Sequence, residues 1–241
     1  MTKHRIDSLL VERGLVESRA KAQGLIMAGD VLVDGKAVTK SGTLIAEGAE
    51  ITVLEPLPFV SRGGLKMDYA LDQFNLNVSG MVAADIGAST GGFTDCLLKR
   101  GASRVYAIDV GYGQLDYCLR QDSRVVVMDR VNARYPINLP EKVDLATIDV
   151  SFISVEKIIP SVALLLKDGG YLLVLIKPQF EAKKGEVGKG GVVKRPLTHA
   201  RVLGRFITWM TENDFRLGGL VASPILGASG NKEFFILVKL T

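Results

Sequence analysis

The sequence predicts a small α+β domain followed by a doubly wound α/β domain with a mostly parallel sheet. From Ser61 onward, short apolar runs typical of strands alternate with helical patterns, which is characteristic of such a sheet. A glycine-rich segment directly follows the first of these strands, at the place where such sheets bind ligands. The proline-containing stretch 55–61 separates the two patterns. We therefore predict domains over 1–54 and 62–241, joined by this stretch as a linker.

Composition excludes several classes of protein. The chain has 241 residues, a net charge of +4 and 47% hydrophobic residues, which suits a globular protein with a real core. Two cysteines (Cys96, Cys118) and two histidines (His4, His199) are too few for a disulfide scaffold or a Cys- or His-based metal site. The longest apolar run, Leu172–Ile176, is far shorter than the roughly 20 residues of a membrane span. We expect a cytoplasmic protein with no metal and no membrane contact.

Turn and cap residues define the elements of the first domain. A helix beginning near Ile6 should end at Gly14, and a second helix should be capped by Ser18 and end at Gly29. Asp34-Gly35 between two apolar runs is a strong signal for a two-residue hairpin. The predicted strands are 31–33, 36–38 and 51–54.

The second domain begins with a helix and then alternates. We predict helices near 63–74, 92–100, 114–120, 154–167 and 197–213. The predicted strands are 81–86, 104–110, 124–128, 144–150 and 171–176. Two last apolar runs, 217–225 and 234–240, are joined by a glycine-containing turn and should close the sheet as an antiparallel hairpin.

The glycine-rich segment after the first strand of this domain allows three interpretations besides a plain tight turn. A nicotinamide-type G-x-G-x-x-G pattern fails because position 89 is Ser89. The G-x-S-x-G pattern of a hydrolase is present, with Asp149 and His199 following in triad order, but no oxyanion motif lies upstream. The third interpretation is binding of S-adenosylmethionine. Its candidate contacts here are Asp85, Gly87, Ala88, Ser89, Thr90, Gly91, Gly92 and Phe93.

Four aspartates at strand ends favour the third interpretation. They are spaced 24, 20 and 20 residues apart. We expect Asp85 to serve the methionine end of the cofactor and Asp109 the ribose hydroxyls, since a carboxylate accepts from both. Asp129 is expected at the adenine edge and Asp149 beside the methyl group.

The first 60 residues resemble the S4-like RNA-binding domain shared by a ribosomal small-subunit protein, pseudouridine synthases and tyrosyl-tRNA synthetases. The match is carried by Arg5, Asp7, Leu10, Ser18, Arg19, Ala22, Leu25, Ile26, Gly29, Val31, Val33 and Gly35. Residues 61–241 resemble the FtsJ-type RNA ribose methyltransferases. The motifs SRGGLK, DIGASTGGFT, TIDVSF, LIKPQFE and GNKEFF, taken in order, resemble those of the TlyA family. This resemblance implies a Rossmann-like sheet, S-adenosylmethionine as cofactor and 2′-O-methylation of a cytidine in ribosomal RNA.

The FtsJ-type pattern implies a catalytic tetrad of Lys66, Asp149, Lys177 and Glu233. The chemistry agrees with it, because a ribose hydroxyl is a poor nucleophile that needs positioning and proton removal. A lysine can act as a base only in its neutral form, which burial or a nearby cation favours. Lys177, at the end of an apolar strand, is the candidate base, with the two carboxylates orienting both lysines.

Two other functions stay open. Asp149-Val150-Ser151-Phe152 is similar to the acid-x-x-aromatic motif of enzymes that methylate exocyclic amines of bases, although the prolines of that motif are absent. Members of the TlyA family also carry a haemolysin label, so a membrane-active protein is a second alternative. The sequence has no long apolar span or large basic amphipathic helix to favour it.

Basic residues indicate an RNA partner, either ribosomal RNA or a ribosomal subunit. The segment 177–205 holds eight basic and two acidic residues and several glycines, so we expect a mobile loop that grips the substrate. Phe152 is a candidate to stack on the target base. Shorter members of the resembled family tend to act on large-subunit RNA only, so the resemblance implies that substrate for this chain. The candidate RNA-binding residues are Arg5, Arg19, Lys21, Arg62, Lys183, Lys184, Lys189, Lys194 and Arg195.

Overall fold

The structure is a computed structural model that describes residues 3–54, 57–183, 185–227 and 230–240. The chain divides into two compact units, Met1–Leu57 and Pro58–Thr241. Each unit has its own buried apolar cluster.

Two helices and two small sheets form the first unit. Its elements are β1 (Lys3–Arg5), α1 (Ile6–Glu12), α2 (Arg19–Ala28), β2 (Val31–Val33), β3 (Lys36–Ala37), β4 (Leu44–Ala46) and β5 (Ile51–Val53). The Ser18 hydroxyl accepts from the backbone N–H of Lys21 and caps α2, and Gly29 ends it in the left-handed conformation, as predicted. The hairpin β2–β3 and its pairing with β5 also follow the prediction.

The sequence patterns did not predict the pairing of β1 with β4. His4 lies opposite Ile45 in this two-stranded antiparallel sheet. Each strand has only three residues, and only Ile45 of the two strands is fully buried. Strands this short carry too little alternation of polar and apolar residues to be recognised from sequence.

The second unit is built on a seven-stranded sheet with the order β11-β12-β10-β9-β6-β7-β8. Its strands are β6 (Val82–Ile86), β7 (Arg104–Asp109), β8 (Val125–Asp129), β9 (Val143–Ile148), β10 (Leu166–Ile176), β11 (Arg216–Ala222) and β12 (Phe234–Lys239). Strands β6 to β10 run parallel, and β12 is antiparallel to both neighbours. The predicted doubly wound sheet with a terminal antiparallel hairpin is confirmed.

Helices cover both faces of this sheet. They are α3 (Arg62–Gln73), α4 (Gly92–Lys99), α5 (Tyr117–Gln121), α6 (Ile159–Ala163), α7 (Pro178–Glu181) and α8 (Pro196–Glu212). Alternate residues of the central strands enter two apolar clusters: Ala84 and Ile86 belong to one, Ala83 to the other. This alternation fixes which side chains of each strand can reach a given face.

The helix predicted over 154–167 is the main local difference. A 3-10 turn at Val155–Lys157 precedes the short helix α6, which carries Pro160 in its first turn. Proline lacks a backbone N–H and is tolerated only at such a position, so one continuous helix cannot pass through it. Strand β10 then starts at Leu166, with an irregular register before Tyr171.

Close contacts between glycines and their neighbours bring α3 and α4 together. A Cβ on Gly64 would lie 2.2 Å from the Phe59 ring, and one on Gly92 would lie 2.2 Å from the Ser61 hydroxyl. The end of the predicted linker 55–61 therefore packs within the second unit, and Phe59 is buried there. Glu55 and Pro56 of that linker lie outside the described residues.

Candidate active site

Parallel pairing brings three of the four predicted aspartates to one level at the carboxyl edge of the sheet. Asp109 lies opposite Asp129, and Ile86 lies opposite both Ile108 and Ile148. Asp109 and Asp149 are therefore level with Gly87, which follows Ile86. Asp85 lies two residues deeper in β6, so the four aspartates do not form a single row.

The deeper position of Asp85 gives it a different environment. Its carboxylate is fully buried and accepts hydrogen bonds from the hydroxyls of Thr147 (2.9 Å) and Thr94 (2.7 Å). Burial, which disfavours the charged form, raises the pKa of Asp85 to about 6. The carboxyl therefore titrates close to neutral pH, unlike an exposed aspartate.

The glycine loop makes a tight cradle directly above Asp85. Gly87 has φ +83°, and a Cβ there would lie 2.4 Å from the backbone oxygen of Asp149. The backbone N–H of Ser89 donates to Oδ2 of Asp109 (2.8 Å), and the Gly111 N–H donates to its Oδ1 (2.7 Å). Asp109 thus fixes the loop as well as facing the cavity beside it.

The four predicted catalytic residues form two ion pairs. Nζ of Lys66, on α3, lies 2.6 Å from Oε2 of Glu233, and both side chains are almost fully buried. Nζ of Lys177 lies 2.5 Å from Oδ1 of Asp149 and also donates to the Ser151 hydroxyl at 3.1 Å. Each lysine is thus held by one carboxylate.

Both pairs belong to one site at the carboxyl edge. Ile176 pairs with Phe234 across β10 and β12, so Lys177 and Glu233 leave the same end of two neighbouring strands. A cavity of about 270 Å³ is lined by Lys66 and Asp149 together with the glycine loop. Gly227 also lines it, and a Cβ there would collide with the Glu233 carboxylate.

A second cavity, of about 500 Å³, continues on the other side of the glycine loop. Asp109 and Asp149 line it, and so does Phe152; the further lining residues that the sequence patterns did not indicate include Val110, Gln114, Val131 and Asn132. Asp129 is not among its lining residues and instead pairs with Arg120 (3.0 Å). That guanidinium holds the pKa of Asp129 below its usual range.

Phe152 is an exposed aromatic residue at the edge of the second cavity. Its side chain is 91% exposed, its backbone has φ +66°, and its ring lies 5.0 Å from that of Phe180. A left-handed backbone at a large exposed residue is strained, and such strain concentrates at functional sites.

The candidate RNA-binding residues of the first unit are partly engaged with each other. The buried carboxylate of Asp7 accepts from Arg5, Arg19 and Gln23, and these bonds hold its pKa well below the usual range. Lys21 pairs with Glu17 at 3.3 Å. Arg5 and Arg19 therefore stand side by side, each about half exposed.

In the second unit, Arg62 donates to the backbone oxygen of Leu226 and lines the catalytic cavity. The other predicted contacts lie in the loop between α7 and α8, where Lys183, Lys189, Lys194 and Arg195 are exposed. Lys184 lies outside the described residues.

The hydrolase interpretation is wrong. A ring nitrogen of His199 bonds the backbone oxygen of Val193 at 2.9 Å, and the ring packs against Phe234. Asp149 is paired with Lys177 and not with His199. Ser89 therefore lacks the oriented base that a serine nucleophile requires.

Sequence patterns missed the polar side chains that support the site. Thr94 and Thr147 bind Asp85, and Ser151 binds Lys177. Asn231 bonds the backbone of Gly191 and Val193. All four residues stand inside the quoted motifs, so the sequence analysis had included their positions but had assigned them no role.

The doubly wound sheet, the glycine cradle and the paired lysines at its carboxyl edge define the class of protein. Residues 59–240 match the family model of FtsJ-like methyltransferases, and residues 4–51 match that of the S4 domain. The chain is therefore a methyltransferase of the FtsJ-like type with an S4 domain before it.

Three relatives define the particular family. The chain is 49% identical to the Bacillus subtilis protein YqxC, covering 97% of this chain and 85% of that one. It is 43% identical to a Mycobacterium tuberculosis protein named 16S/23S rRNA (cytidine-2′-O)-methyltransferase TlyA, covering 98% and 89%. A solved Streptococcus thermophilus structure, whose description carries the hemolysin name, has a TM-score of 0.78 and 44% identity, covering 100% and 90%. The chain belongs to the TlyA family.

The described residues contain no helix that is both long and apolar enough to cross a membrane. They also contain no group of three or more His, Cys, Asp or Glu side chains arranged to hold a metal ion.

Proposed function

We propose that this protein transfers a methyl group from S-adenosylmethionine to the ribose 2′-hydroxyl of a cytidine in large-subunit ribosomal RNA. The observation that carries the proposal is the convergence of Lys66–Glu233 and Lys177–Asp149 on one cavity beside the glycine cradle. Two lysines held by two carboxylates suit a reaction on a hydroxyl, which must lose a proton as it reacts.

The residues of the cradle fit the cofactor. A Cβ at Gly87 would meet the backbone oxygen of Asp149 at 2.4 Å, so only glycine lets the loop pack this closely against Asp149 at the edge of the cavity. Asp85 and Asp149 place carboxylates next to it, and these suit a ligand with an ammonium and a sulfonium group. Asp109 faces the larger cavity, where a ribose diol would find an acceptor. When bound, S-adenosylmethionine supplies an electrophilic methyl group.

Lys177 is the general base of this proposal. The Asp149 carboxylate holds Nζ of Lys177 in place, and from there the neutral amine would accept the proton that the ribose hydroxyl loses. Ser151 keeps Nζ oriented while this happens. The Lys66–Glu233 pair is more deeply buried. Its ammonium group can donate a hydrogen bond to the ribose hydroxyl and its carboxylate can accept one, and together they position that hydroxyl.

Phe152 supports a nucleic acid substrate. Its exposed ring next to Asp149 offers a stacking surface for an unpaired base, and base–aromatic stacking is worth about 1–3 kcal/mol. A ribose inside folded RNA has to be exposed before it can react, and such a surface would hold the exposed nucleotide. The names of the relatives point to the same substrate class.

Radiolabelled methyl transfer tests the proposal. Small and large ribosomal subunits from a strain without this methyltransferase are incubated with the protein and labelled S-adenosylmethionine, and the modified nucleotide is mapped. We expect label on one cytidine ribose of the large-subunit RNA. Label on the exocyclic amine of a base would support the acid-x-x-aromatic alternative instead. Absence of label, together with lysis of liposomes, would support a membrane-active protein.

The Lys177→Ala variant tests the catalytic assignment. Loss of the base should lower methyl transfer by a factor of about 10² to 10⁴. The affinity for S-adenosylmethionine, measured by calorimetry, should change by less than about threefold, because Lys177 is not among the residues that line the catalytic cavity beside the glycine loop. The matched control is Lys157→Ala, which removes an exposed lysine outside the two cavities. Equal loss of transfer and of cofactor binding would contradict the role of Lys177.

A further inference from the structure

A third cavity lies apart from the catalytic one, in the loop between α7 and α8. Its volume is about 470 Å³, and basic side chains dominate its lining, which includes Lys189, Lys194, Arg195 and Arg201. The only carboxylate among its lining residues is that of Glu186. We call it the basic cavity.

The charges of the basic cavity are not balanced internally. Glu186 is taken by Arg201 at 2.7 Å and by the backbone N–H of Lys183 at 3.0 Å. Lys189, Lys194 and Arg195 form no ion pair with any residue that the structure describes. Three cations facing one concave surface repel one another unless an anion binds between them.

Both ends of this loop are tied to catalytic residues. The loop starts after α7, which directly follows Lys177. Its other end is held by Asn231, two residues before Glu233: the Asn231 side chain accepts from Val193 N–H (2.9 Å) and donates to the Gly191 oxygen (3.0 Å). The basic cavity therefore stands at a set distance from both ion pairs.

His199 holds the same point from the opposite side. Its ring bonds the Val193 oxygen at 2.9 Å, so both polar backbone groups of this buried residue are satisfied. The ring also packs against Phe234, the neighbour of Glu233. Two buried polar side chains thus fix the base of a loop whose outer part is exposed.

We propose that the basic cavity binds a backbone phosphate of a nucleotide flanking the methylated one, and that Asn231 and His199 are positioning residues for it. This inference rests on the proposed function. A phosphate bound by Lys189, Lys194 and Arg195 fixes the RNA backbone. The hydrogen bonds of Asn231 and His199 to the backbone of Val193, called the clamp below, link that phosphate site to the segment that carries Glu233. Phosphate contacts set the register of a nucleic acid without reading its sequence.

Salt dependence tests the phosphate contact. The full-length protein is titrated with fluorescent, deproteinised large-subunit RNA at several salt concentrations, for the wild type, Lys189→Gln and Arg195→Gln. We expect each substitution to lower the slope of log affinity against log salt by about one. The matched control is Arg216→Gln. Arg216 lies opposite Lys239 in the β11–β12 register, at the end of β12 that is remote from Glu233. Slopes equal to those of the wild type and this control would overturn the phosphate subsite.

The clamp is tested by His199→Phe and His199→Gln. Phenylalanine keeps the ring against Phe234 but loses the bond to Val193, whereas glutamine restores a donor there. We expect His199→Phe to raise the KM for RNA about tenfold while the affinity for S-adenosylmethionine is kept, and His199→Gln to recover most of the loss. A purely structural role would give a different result: both variants would then raise the KM for RNA, weaken cofactor binding and lower Tm in proportion. Asn231→Asp keeps an acceptor for Val193 N–H but turns a carboxylate oxygen towards the Gly191 oxygen, so it should also raise the KM for RNA.

The two proposals fail in different ways. If the wild type transfers no methyl group to RNA, the proposed function is wrong. If it does so, but Lys189→Gln and Arg195→Gln behave like Arg216→Gln, only the phosphate subsite is wrong. Inorganic phosphate added alone should compete with RNA binding in the wild type more strongly than in Arg195→Gln.

Discussion

The two glycine-rich loops of the second unit use glycine for opposite reasons. In the loop after β6, a Cβ at Gly87, Gly91 or Gly92 would lie within 2.4 Å of a neighbouring atom. In the loop between α7 and α8, Gly185, Gly190 and Gly191 have no neighbour within 4 Å at that position. The first loop needs glycine for lack of space, and the second for a left-handed backbone in open surroundings.

The loop after β6 is therefore a preformed binding site, whereas the loop between α7 and α8 can change its conformation. A loop packed on every side keeps one conformation, and this suits a small cofactor whose position must be set closely. An exposed loop held only at its base can adjust to the backbone of an RNA. The same residue type, counted equally in the composition, therefore serves two mechanical functions.

Gly87→Ala should break the cradle and have the largest effect. An alanine at φ +83° is strained, and its Cβ would meet the Asp149 oxygen at 2.4 Å. We expect the affinity for S-adenosylmethionine to fall about 100-fold or more, which is about 2.7 kcal/mol or more. Calorimetry measures this, with circular dichroism to check that the chain is folded. Cofactor affinity within twofold of the wild type would contradict the cradle.

Acidic pH should sharpen the comparison, because Asp85 beside the cradle has a raised pKa. Asp85 has its pKa raised to about 6, so it is charged above that pH and neutral below it. A cationic ligand favours the charged form. We therefore expect the Kd for S-adenosylmethionine to rise about tenfold between pH 7 and pH 5. RNA binding by lysines and arginines should not lose affinity over that range.

The control for this pH effect is Asp85→Asn. The variant cannot ionise; it keeps one acceptor oxygen for a threonine hydroxyl, while an NH2 donor replaces the other oxygen, so that its threonine partner has to accept instead of donating. Its cofactor affinity should be low and nearly constant between pH 5 and pH 7. A wild-type profile that is equally flat would show that Asp85 does not titrate in this range.

Gly190→Ala should have the smallest effect. Its φ of +83° matches that of Gly87, yet no atom lies within 4 Å of the added Cβ. An exposed loop can relax the strain of about 1–2 kcal/mol by changing its backbone. We expect the KM for RNA to change less than about threefold and Tm by less than about 2 °C. A loss as large as that of Gly87→Ala would mean that the two loops are equally rigid.

Much of the fold followed from local rules. Ser18 and Gly29 bound α2 because a hydroxyl cap and a left-handed glycine satisfy backbone groups within a few residues. The alternation of strands and helices gave the parallel sheet in the same way. The break before Pro160 also obeys a local rule, since proline lacks the N–H that a continuous helix needs, and the prediction of one helix over 154–167 overlooked it. The pairing of β1 with β4 did not follow, because the two strands are too short to show a pattern.

The candidate site divides along a similar line. The sequence placed Lys66, Asp149, Lys177 and Glu233 in motifs, and the sheet brings them to one edge. It did not indicate that Asp85 would be buried, since that depends on a two-residue offset between neighbouring strands. It also did not indicate that the carboxylate of Asp129 pairs with Arg120; the contact of Asp129 with the cofactor stays a prediction.

By itself, the sequence determined the order of elements, the glycine loop and the residue types of the site, because these depend on neighbours along the chain. Only the tertiary structure decided which lysine pairs with which carboxylate. Lys66 and Glu233 are 167 positions apart, and their contact exists only because α3 and the start of β12 meet at one cavity. The same folding ties the basic cavity to Glu233 through Asn231, a contact that no spacing along the chain encodes.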